Sequence, residues 1–245
     1  MGMFDWIVKP NIKRMEKRKD ASSLLRALKH NDADIRKQAA QALGNIGEPS
    51  VMSSLVRTLK DKSAEVRRAA ISSIEQYWWT GDPKIIEKLV LPLKDEDREV
   101  RKLAALAIGE YIPKLNQNWQ SDEHQFAYHG VGLGLKEFEK KVDLYKKVWK
   151  KAEISLIQAL QDEDQEVVIE VVSSLANIQS VATVKPVYDS LKGRDMRIIK
   201  AAREAIDRLK PSPVRKAMKG ILEILENSQG EQQDMDRVNR ILQEM

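Results

Sequence analysis

The strongest constraint on this chain is a sequence pattern that occurs five times. Its anchor is an aliphatic residue, and successive anchors lie 31, 34, 67 and 31 residues apart, so the longest interval is about two periods. Aliphatic residues stand seven and eleven positions before each anchor, and aliphatic or alanine residues stand four and eight positions after it. A period of this length indicates stacked copies of one supersecondary unit. The anchors are Ile35, Val66, Val100, Val167 and Ile198.

The spacing around each anchor predicts two helices per unit. Intervals of four and eight residues place side chains on one stripe of a helix. The residue three positions before each anchor is Asp or Ser, which are typical N-cap residues because their side chains accept hydrogen bonds from free backbone N–H groups. Each unit therefore predicts a helix A, a short turn, a cap and a helix B, and Pro92 predicts a kink in the third helix A. The predicted caps are Asp32, Ser63, Asp97, Asp164 and Asp195.

The composition supports a helical core and excludes several kinds of site. Hydrophobic residues make up 42% of the chain but aromatic residues only 5%, so aliphatic side chains and alanine must form the core, which suits helix packing. The chain has no cysteine, which excludes disulfide bonds, thiolate metal sites and cysteine nucleophiles. No apolar run is long enough to cross a bilayer and no secretory signal is recognisable, so we expect a cytoplasmic protein.

The repeated stretches resemble a known family. LKDKSAEVRRAAISSI at 59–74 and LKDEDREVRKLAALAIG at 93–109 resemble HEAT repeats, in the short form called PBS-lyase HEAT-like. The resemblance implies an all-α fold, an armadillo-like α-α superhelix (solenoid) of about five helical hairpins with terminal caps and one insertion. Such arrays present an extended concave surface, and the family includes scaffolds, adaptors and a few enzymes, so the fold alone does not assign a function.

We expect one repeat domain divided into five parts. Within the part that interrupts the period, we expect a loop from Leu115 to Gly134 and then a helix from Leu135 to Lys151. The N-terminal part contains a strongly basic helix between Lys13 and Lys19, which we interpret as a solvated cap, with a membrane or nucleic-acid surface as the alternative. The parts are the N-terminal cap 1–23, repeats one to three 24–112, the insertion 113–152, repeats four and five 153–210, and the C-terminal cap helices 211–245.

Basic side chains form the most informative pattern outside the core. The two residues after each of the first three anchors are basic, whereas the corresponding residues of the last two repeats are Val168-Ile169 and Ile199-Lys200. The resemblance implies that the first arginine of each pair hydrogen-bonds the cap Asp groups of its own or the adjacent repeat. The second basic residue is then free to contact a partner. The ladder consists of Arg36-Lys37, Arg67-Arg68 and Arg101-Lys102.

Two adjacent tryptophans are further candidates for partner binding. Trp78 and Trp79 follow Tyr77 at the end of the second helix B. Because two adjacent side chains cannot both enter one core, we expect at least one of them on the surface or under the insertion. An exposed tryptophan next to arginine is typical of binding hot spots, but burial beneath a neighbouring loop is the preferred interpretation.

Residues that could carry chemistry are few. His124 and His129 stand beside Asp122 and Glu123, but their spacing is not a recognised metal-ligand frame, so a polar surface loop is the preferred interpretation. The glycines of 130–134 match no nucleotide-binding pattern. Serine-hydrolase and dinucleotide motifs are also missing, so we expect no cofactor or metal and do not favour an enzyme.

We therefore expect a non-catalytic scaffold or adaptor that binds another protein on its concave B-helix face. The expected contacts are the basic ladder with Trp78 and Trp79. One alternative is nucleic-acid binding by the basic N-terminal half. A further alternative is an enzyme similar to the bilin lyases or DNA glycosylases among HEAT-like proteins.

Overall fold

The structure is a computed structural model that describes residues 10–80, 82–129, 135–228 and 230–245. This part of the chain contains helices and turns but no strand. No helix among these residues is long and apolar enough to span a membrane. The predicted all-α solenoid of five hairpins is confirmed, because five helix pairs follow one another and stack.

Each hairpin joins a helix A to a helix B, and the B helices pack on one another in order. Short 3-10 helices precede α4 and α10, and another follows α6. The A helices are α2 (Ala21–Ala27), α4 (Met52–Thr58), α6 (Lys84–Leu89), α8 (Leu135–Ala159) and α10 (Val184–Leu191). The B helices are α3 (Ala33–Ile46), α5 (Ala64–Glu75), α7 (Arg98–His129), α9 (Gln165–Ile178) and α11 (Met196–Asp207).

The predicted cap residues directly precede all five B helices, and four of them cap the helix with their side chains. The carboxylates of Asp32, Asp97, Asp164 and Asp195 accept hydrogen bonds from backbone N–H groups two or three residues further on. Ser63 is the N-cap of α5, as predicted, but its side chain makes no such bond. The backbone N–H of Ser63 donates to Asp61 at 2.9 Å, and the backbone N–H groups of Asp97 and Asp164 donate in the same way to the aspartates two residues before them.

Close contacts of the same kind join repeats one and two and repeats three and four. The Ser73 hydroxyl of α5 donates to the Ala40 carbonyl of α3 at 2.9 Å, and the Ser174 hydroxyl of α9 donates to the Ala105 carbonyl of α7 at 2.8 Å. A glycine lies opposite each serine, because a Cβ added to it would lie 2.8 Å from serine atoms. The glycines are Gly44 and Gly109.

The long interval between the third and fourth anchors does not contain an extra repeat. Helix α7 packs directly on α9, so repeats three and four are neighbours. The insertion instead lengthens the two helices that it separates, α7 to 32 residues and α8 to 25. The predicted loop from Leu115 is therefore wrong as far as His129, where the chain is helical. The helix predicted to end at Lys151 continues to Ala159 and includes the fourth helix A.

Helix α7 continues through Pro113 because another helix supplies the missing hydrogen bond. Proline has no backbone N–H, so it leaves the carbonyl group four residues earlier, that of Gly109, without its helical donor. The side-chain amide of Asn177 in α9 donates to this carbonyl at 2.8 Å. The amide oxygen of Asn177 accepts a hydrogen bond from Arg215, so one side chain satisfies groups on two other helices.

We expect Asn177→Ala to lower the free energy of unfolding by about 1–2 kcal/mol, because it leaves a buried carbonyl without a donor. In a Pro113→Ala background residue 113 has a backbone N–H, so the cost should be smaller. Urea unfolding of the parent, both single variants and the double variant measures this coupling. Equal costs of Asn177→Ala in both backgrounds would contradict the role assigned to the amide.

Helices outside the five hairpins cover both ends of the array. Helix α1 (Ile12–Lys17) has Asn11 as its N-cap and packs on α2 and α3. Helix α12 (Pro213–Glu226) packs on α10 and α11, and α13 (Glu231–Gln243) packs on α12 and buries Val238. Pro92 does more than kink the third helix A, because α6 ends before it and a 3-10 helix follows over Leu91–Lys94. Residues 1–9 of the predicted N-terminal cap lie outside the described residues.

Candidate partner-binding face

The first arginine of each basic pair is buried and joins two repeats. The Nε and Nη2 atoms of Arg36 donate to the two carboxylate oxygens of Asp61 in the next repeat, each at 2.8 Å. Its Nη1 atom donates to the carbonyls of His30 and Asn31 in its own A-to-B turn. A planar guanidinium group whose nitrogen atoms all donate to such partners is held in one orientation.

The same arrangement recurs at the next two boundaries. Arg67 donates to Asp95 at 2.6 Å, and Arg101 donates to both oxygens of Asp162 at 2.7 and 2.9 Å. The side chains of Arg101 and Asp162 are only 10% and 8% exposed. These hydrogen bonds to carboxylates raise the pKa of all three guanidinium groups above their ordinary value. We call Arg36, Arg67 and Arg101 the inner ladder. As the resemblance implied, each bonds a carboxylate of the adjacent repeat, but this aspartate lies two residues before the cap and is not the cap itself.

The inner ladder ends at repeat four, because the arginine and the aspartate of the next ion pair are both replaced. Val168 occupies the position of the arginine, and Gly193 occupies the position of the aspartate in repeat five. Arg194 takes over the connection in the reverse direction, since it donates from repeat five to the Leu160 carbonyl of repeat four at 2.9 Å. The change of charge pattern in the sequence is thus a change in how the repeats are joined.

The second basic residue of each pair lies on the surface, and two of the three are ion-paired. Lys37 contacts Glu65 at 2.8 Å, and Lys102 contacts Glu166 at 3.2 Å. In both pairs the carboxylate belongs to the next repeat and stands one residue before its anchor. The equivalent carboxylate for Arg68 is Glu99, which contacts Arg98 instead at 3.5 Å.

Arg68 therefore has no ion pair or hydrogen bond from its side chain to any residue of the described part of the chain. It is half-buried and lies in a groove of about 380 Å³ between α3 and α5. The groove is open to solvent, and it crosses the boundary between repeats one and two. Its lining consists of Lys37, Gln41, Glu65, Arg68, Ala69 and Ser72.

The groove belongs to a longer surface that we call the B-helix face. The face consists of the side chains two and six positions after each anchor, which lie on one stripe of each B helix outside the anchor stripe that forms the core. They change from basic and polar in the first two repeats to more apolar in repeats three and four, where Leu106 is 38% exposed. The members in repeats one to four are Lys37, Gln41, Arg68, Ser72, Lys102, Leu106, Ile169 and Ser173.

One carboxylate beside the apolar end of this face titrates abnormally. Burial raises the pKa of Glu170 above its ordinary value, and the charges of Glu110 and Glu166 raise it further. The ammonium group of Lys102 acts in the opposite direction but does not cancel them. Repeats three and four thus place an acidic group beside apolar side chains, in contrast to the basic groove at repeats one and two.

Trp79 is a large exposed aromatic side chain in the 3-10 helix over Gln76–Thr80, which follows α5. Its side chain is 51% exposed, so the preferred expectation of burial beneath a neighbouring loop is wrong for this residue. It stacks on Tyr77, with ring centroids 6.3 Å apart. The Tyr77 hydroxyl is buried and donates to the Leu43 carbonyl of α3 at 3.0 Å, so this pair of rings lies at the boundary of repeats one and two. The side chain of Trp78 lies outside the described residues.

Other candidates from the sequence lie outside the described part of the structure. They include the side chains of Asp122, Glu123, His124 and His129, and residues 130–134 with their glycines. Among the residues that the structure does describe, no group of three or more His, Asp or Glu side chains could hold a metal ion.

Comparison with known families identifies the repeats. A family model described as HEAT repeats matches residues 21–109, which span the first three hairpins up to the middle of α7. This part of the chain, residues 21–109, consists of HEAT repeats. No curated protein is similar enough in sequence to count as a relative of this chain.

Several solved structures share the helical-repeat architecture at low sequence identity. An engineered protein is 20% identical, over 92% of this chain and 97% of that chain, with a TM-score of 0.45. A designed armadillo repeat protein in complex with the peptide (KR)4 is 19% identical, over 97% and 87%, with a TM-score of 0.44. The complex of CpcE and CpcF of phycocyanin lyase from Nostoc sp. PCC7120 is 18% identical, over 91% and 94%, with a TM-score of 0.37. These similarities concern the fold alone.

Proposed function

We propose that this protein is a non-catalytic scaffold that binds a segment of another protein on its B-helix face. The observation that carries the proposal is the groove between α3 and α5, where polar side chains remain accessible although the helices beneath them are tightly packed. Inter-repeat ion pairs hold the two walls of the groove together. A rigid groove of this kind binds a flexible segment without first having to order itself, which favours affinity.

Nucleic-acid binding by the basic N-terminal half has less support from these contacts. Binding to a phosphate backbone draws its affinity from many free lysine and arginine side chains. The inner ladder is buried and neutralised by aspartates, and Lys37 and Lys102 are paired with glutamates. Of the six ladder residues, Arg68 alone has no such partner among the described residues. The exposed basic side chains of α1 lie at the end of the array.

The proposal predicts that peptides selected by the full chain bind in the groove. Random linear peptides displayed on phage would be selected against the immobilised protein, and their affinity for variants would then be measured by fluorescence anisotropy. Ser72→Trp places an indole in the groove and should weaken binding by about tenfold or more, because the ligand loses well-packed contacts at the centre of its site. The melting temperature shows whether the variant is folded.

A second serine provides a matched control. Ser53 is exposed on α4, on the opposite side of the hairpin, and like Ser72 its side chain makes no hydrogen bond in the described structure. Ser53→Trp should bind the selected peptides as the parent does. Failure to select peptides, or equal affinity of the parent and Ser72→Trp, would overturn the proposal. Tight binding of labelled DNA or RNA that weakens steeply with salt would favour the nucleic-acid alternative instead.

A further inference from the structure

We propose that the groove between α3 and α5 recognises an acidic linear segment, with a carboxylate of the segment on Arg68 and an apolar side chain on Trp79. This inference rests on the proposed function and names the class of partner. The expected ligand is an extended segment that carries an acidic residue and an apolar residue at a defined separation.

The first step of the argument is the state of Arg68. A guanidinium group has five N–H donors in a fixed plane and matches a carboxylate with two parallel hydrogen bonds. The arginines of the inner ladder, which stand one residue after each anchor, donate to aspartates and carbonyls. Arg68 is half-buried in a groove and yet uses none, so its donors face a place where a ligand can lie.

The second step concerns the charge of the groove. The lining contains two cations and one anion, and the anion, Glu65, is held by Lys37 at 2.8 Å. The pair leaves Arg68 as the uncompensated charge. Gln41 and Ser72 add neutral side chains that can bond a peptide backbone. The groove therefore complements a negative charge, and a basic segment would face Arg68 with a like charge.

The third step is the distance to Trp79. Arg68 and Trp79 are eleven residues apart along α5 and the 3-10 helix that follows it over Gln76–Thr80. At about 1.5–2.0 Å per residue the backbone rises by at most roughly 17–19 Å between them, because the helical path is interrupted at Tyr77. An extended peptide covers this distance in about five or six residues. Stacking on the buried ring of Tyr77 holds the indole in place, which suits a binding contact.

The test compares the peptides that two proteins select from the same random library. The full-length parent should enrich peptides with Asp or Glu about five or six residues from an aromatic or aliphatic residue. Arg68→Glu reverses the charge without breaking an ion pair, so it should remain folded and should lose the acidic enrichment in favour of Lys and Arg. Arg68→Gln serves as a second variant, because it removes the charge and keeps a similar shape.

A matched arginine on the opposite surface provides the control. Arg57 is exposed on α4 and bonds only Ser54 of its own helix. Arg57→Glu makes the same change of net charge and should select the same acidic peptides as the parent. Trp79→Ala should weaken the binding of these peptides about tenfold and should remove the preference for the apolar residue but not for the acid.

The outcomes separate this inference from the proposed function. Two results would overturn the inference and leave the proposed function in place. In the first, the selected peptides bind Ser72→Trp more weakly than the parent but contain no excess of acidic residues. In the second, the preference for acidic residues survives in both Arg68 variants. Peptides that bind Ser72→Trp as well as the parent, or no selected peptides at all, would overturn both. Acidic peptides that lose affinity in the Arg68 variants and in Ser72→Trp, but not in Arg57→Glu, are the expected result.

Discussion

Replacing Arg101 with alanine is expected to lower the free energy of unfolding by about 3 kcal/mol, because removing one member of a buried ion pair leaves the other charge without compensation. The carboxylate of Asp162 would lose both of its bonds to the guanidinium group, and the carbonyls of Asp95 and Glu96 would lose their donor. Both sides of the pair are buried. Urea unfolding followed by circular dichroism measures the loss.

The neighbouring residue Arg98 supplies the control for this prediction. Its side chain is 62% exposed and contacts Asp164 at 3.2 Å in the same inter-repeat boundary. Arg98→Ala should cost about 0.5 kcal/mol or less, since exposed ion pairs contribute little. Similar losses for the two variants would mean that the inner ladder does not join repeats three and four in the way described.

Replacing Gly109 with alanine is expected to lower the free energy of unfolding by about 2 kcal/mol, because a methyl group there forces closely packed helices apart. Helix propensity alone predicts the opposite sign, since alanine is favoured over glycine in a helix by about 1 kcal/mol. The added Cβ would lie 2.8 Å from the Cα and Cβ atoms of Ser174, and backbone cannot move away without shifting α9. Thermal and urea unfolding of the variant decide between the two signs.

Gly220 in α12 is the control, because it is also helical but faces a flexible neighbour. An added Cβ would meet the Cδ1 atom of Ile241 at 2.9 Å, and the end of this side chain can rotate away. Gly220→Ala should therefore leave the stability unchanged or raise it by up to about 1 kcal/mol. Stabilisation by Gly109→Ala as well would show that α7 and α9 are not in the close contact on which the stacking of repeats three and four depends.

Most of the repeat architecture could be predicted from the sequence because its determinants are local. The anchor pattern, the Asp caps and the alanine positions lie within one hairpin, so spacing alone reveals them. The inner ladder could be expected from the family resemblance. At Ser63 the predicted cap position is correct, but the side chain makes no capping hydrogen bond.

The insertion could not be predicted correctly, because its helical state depends on distant residues. Pro113 and the polar residues after it indicate a loop when they are considered alone. The helix persists because Asn177, which is 64 residues further along the chain, donates to the carbonyl that the proline leaves free. A contact of this kind leaves no local signal.

The partner-binding candidates could be predicted only as a set. Spacing placed three arginines and three other basic residues next to the anchors, but it did not show which of them are free. Ion pairs across repeats decide this. Glu65 and Glu166 bind the two lysines of the ladder. Glu99 contacts Arg98 instead of Arg68, which has no partner among the described residues. The groove between α3 and α5 depends on this three-dimensional arrangement and had no sequence pattern of its own.

The most direct test of the proposed binding face is site-specific photo-crosslinking. A benzoylphenylalanine introduced in place of Ser72, or in place of Ser53 as a control, would be irradiated in the presence of a peptide selected by the parent protein. The proposal predicts a cross-linked product from position 72, inhibited by excess unlabelled peptide, and none from position 53. Cross-linking from position 53 and not from position 72 would contradict binding on the B-helix face.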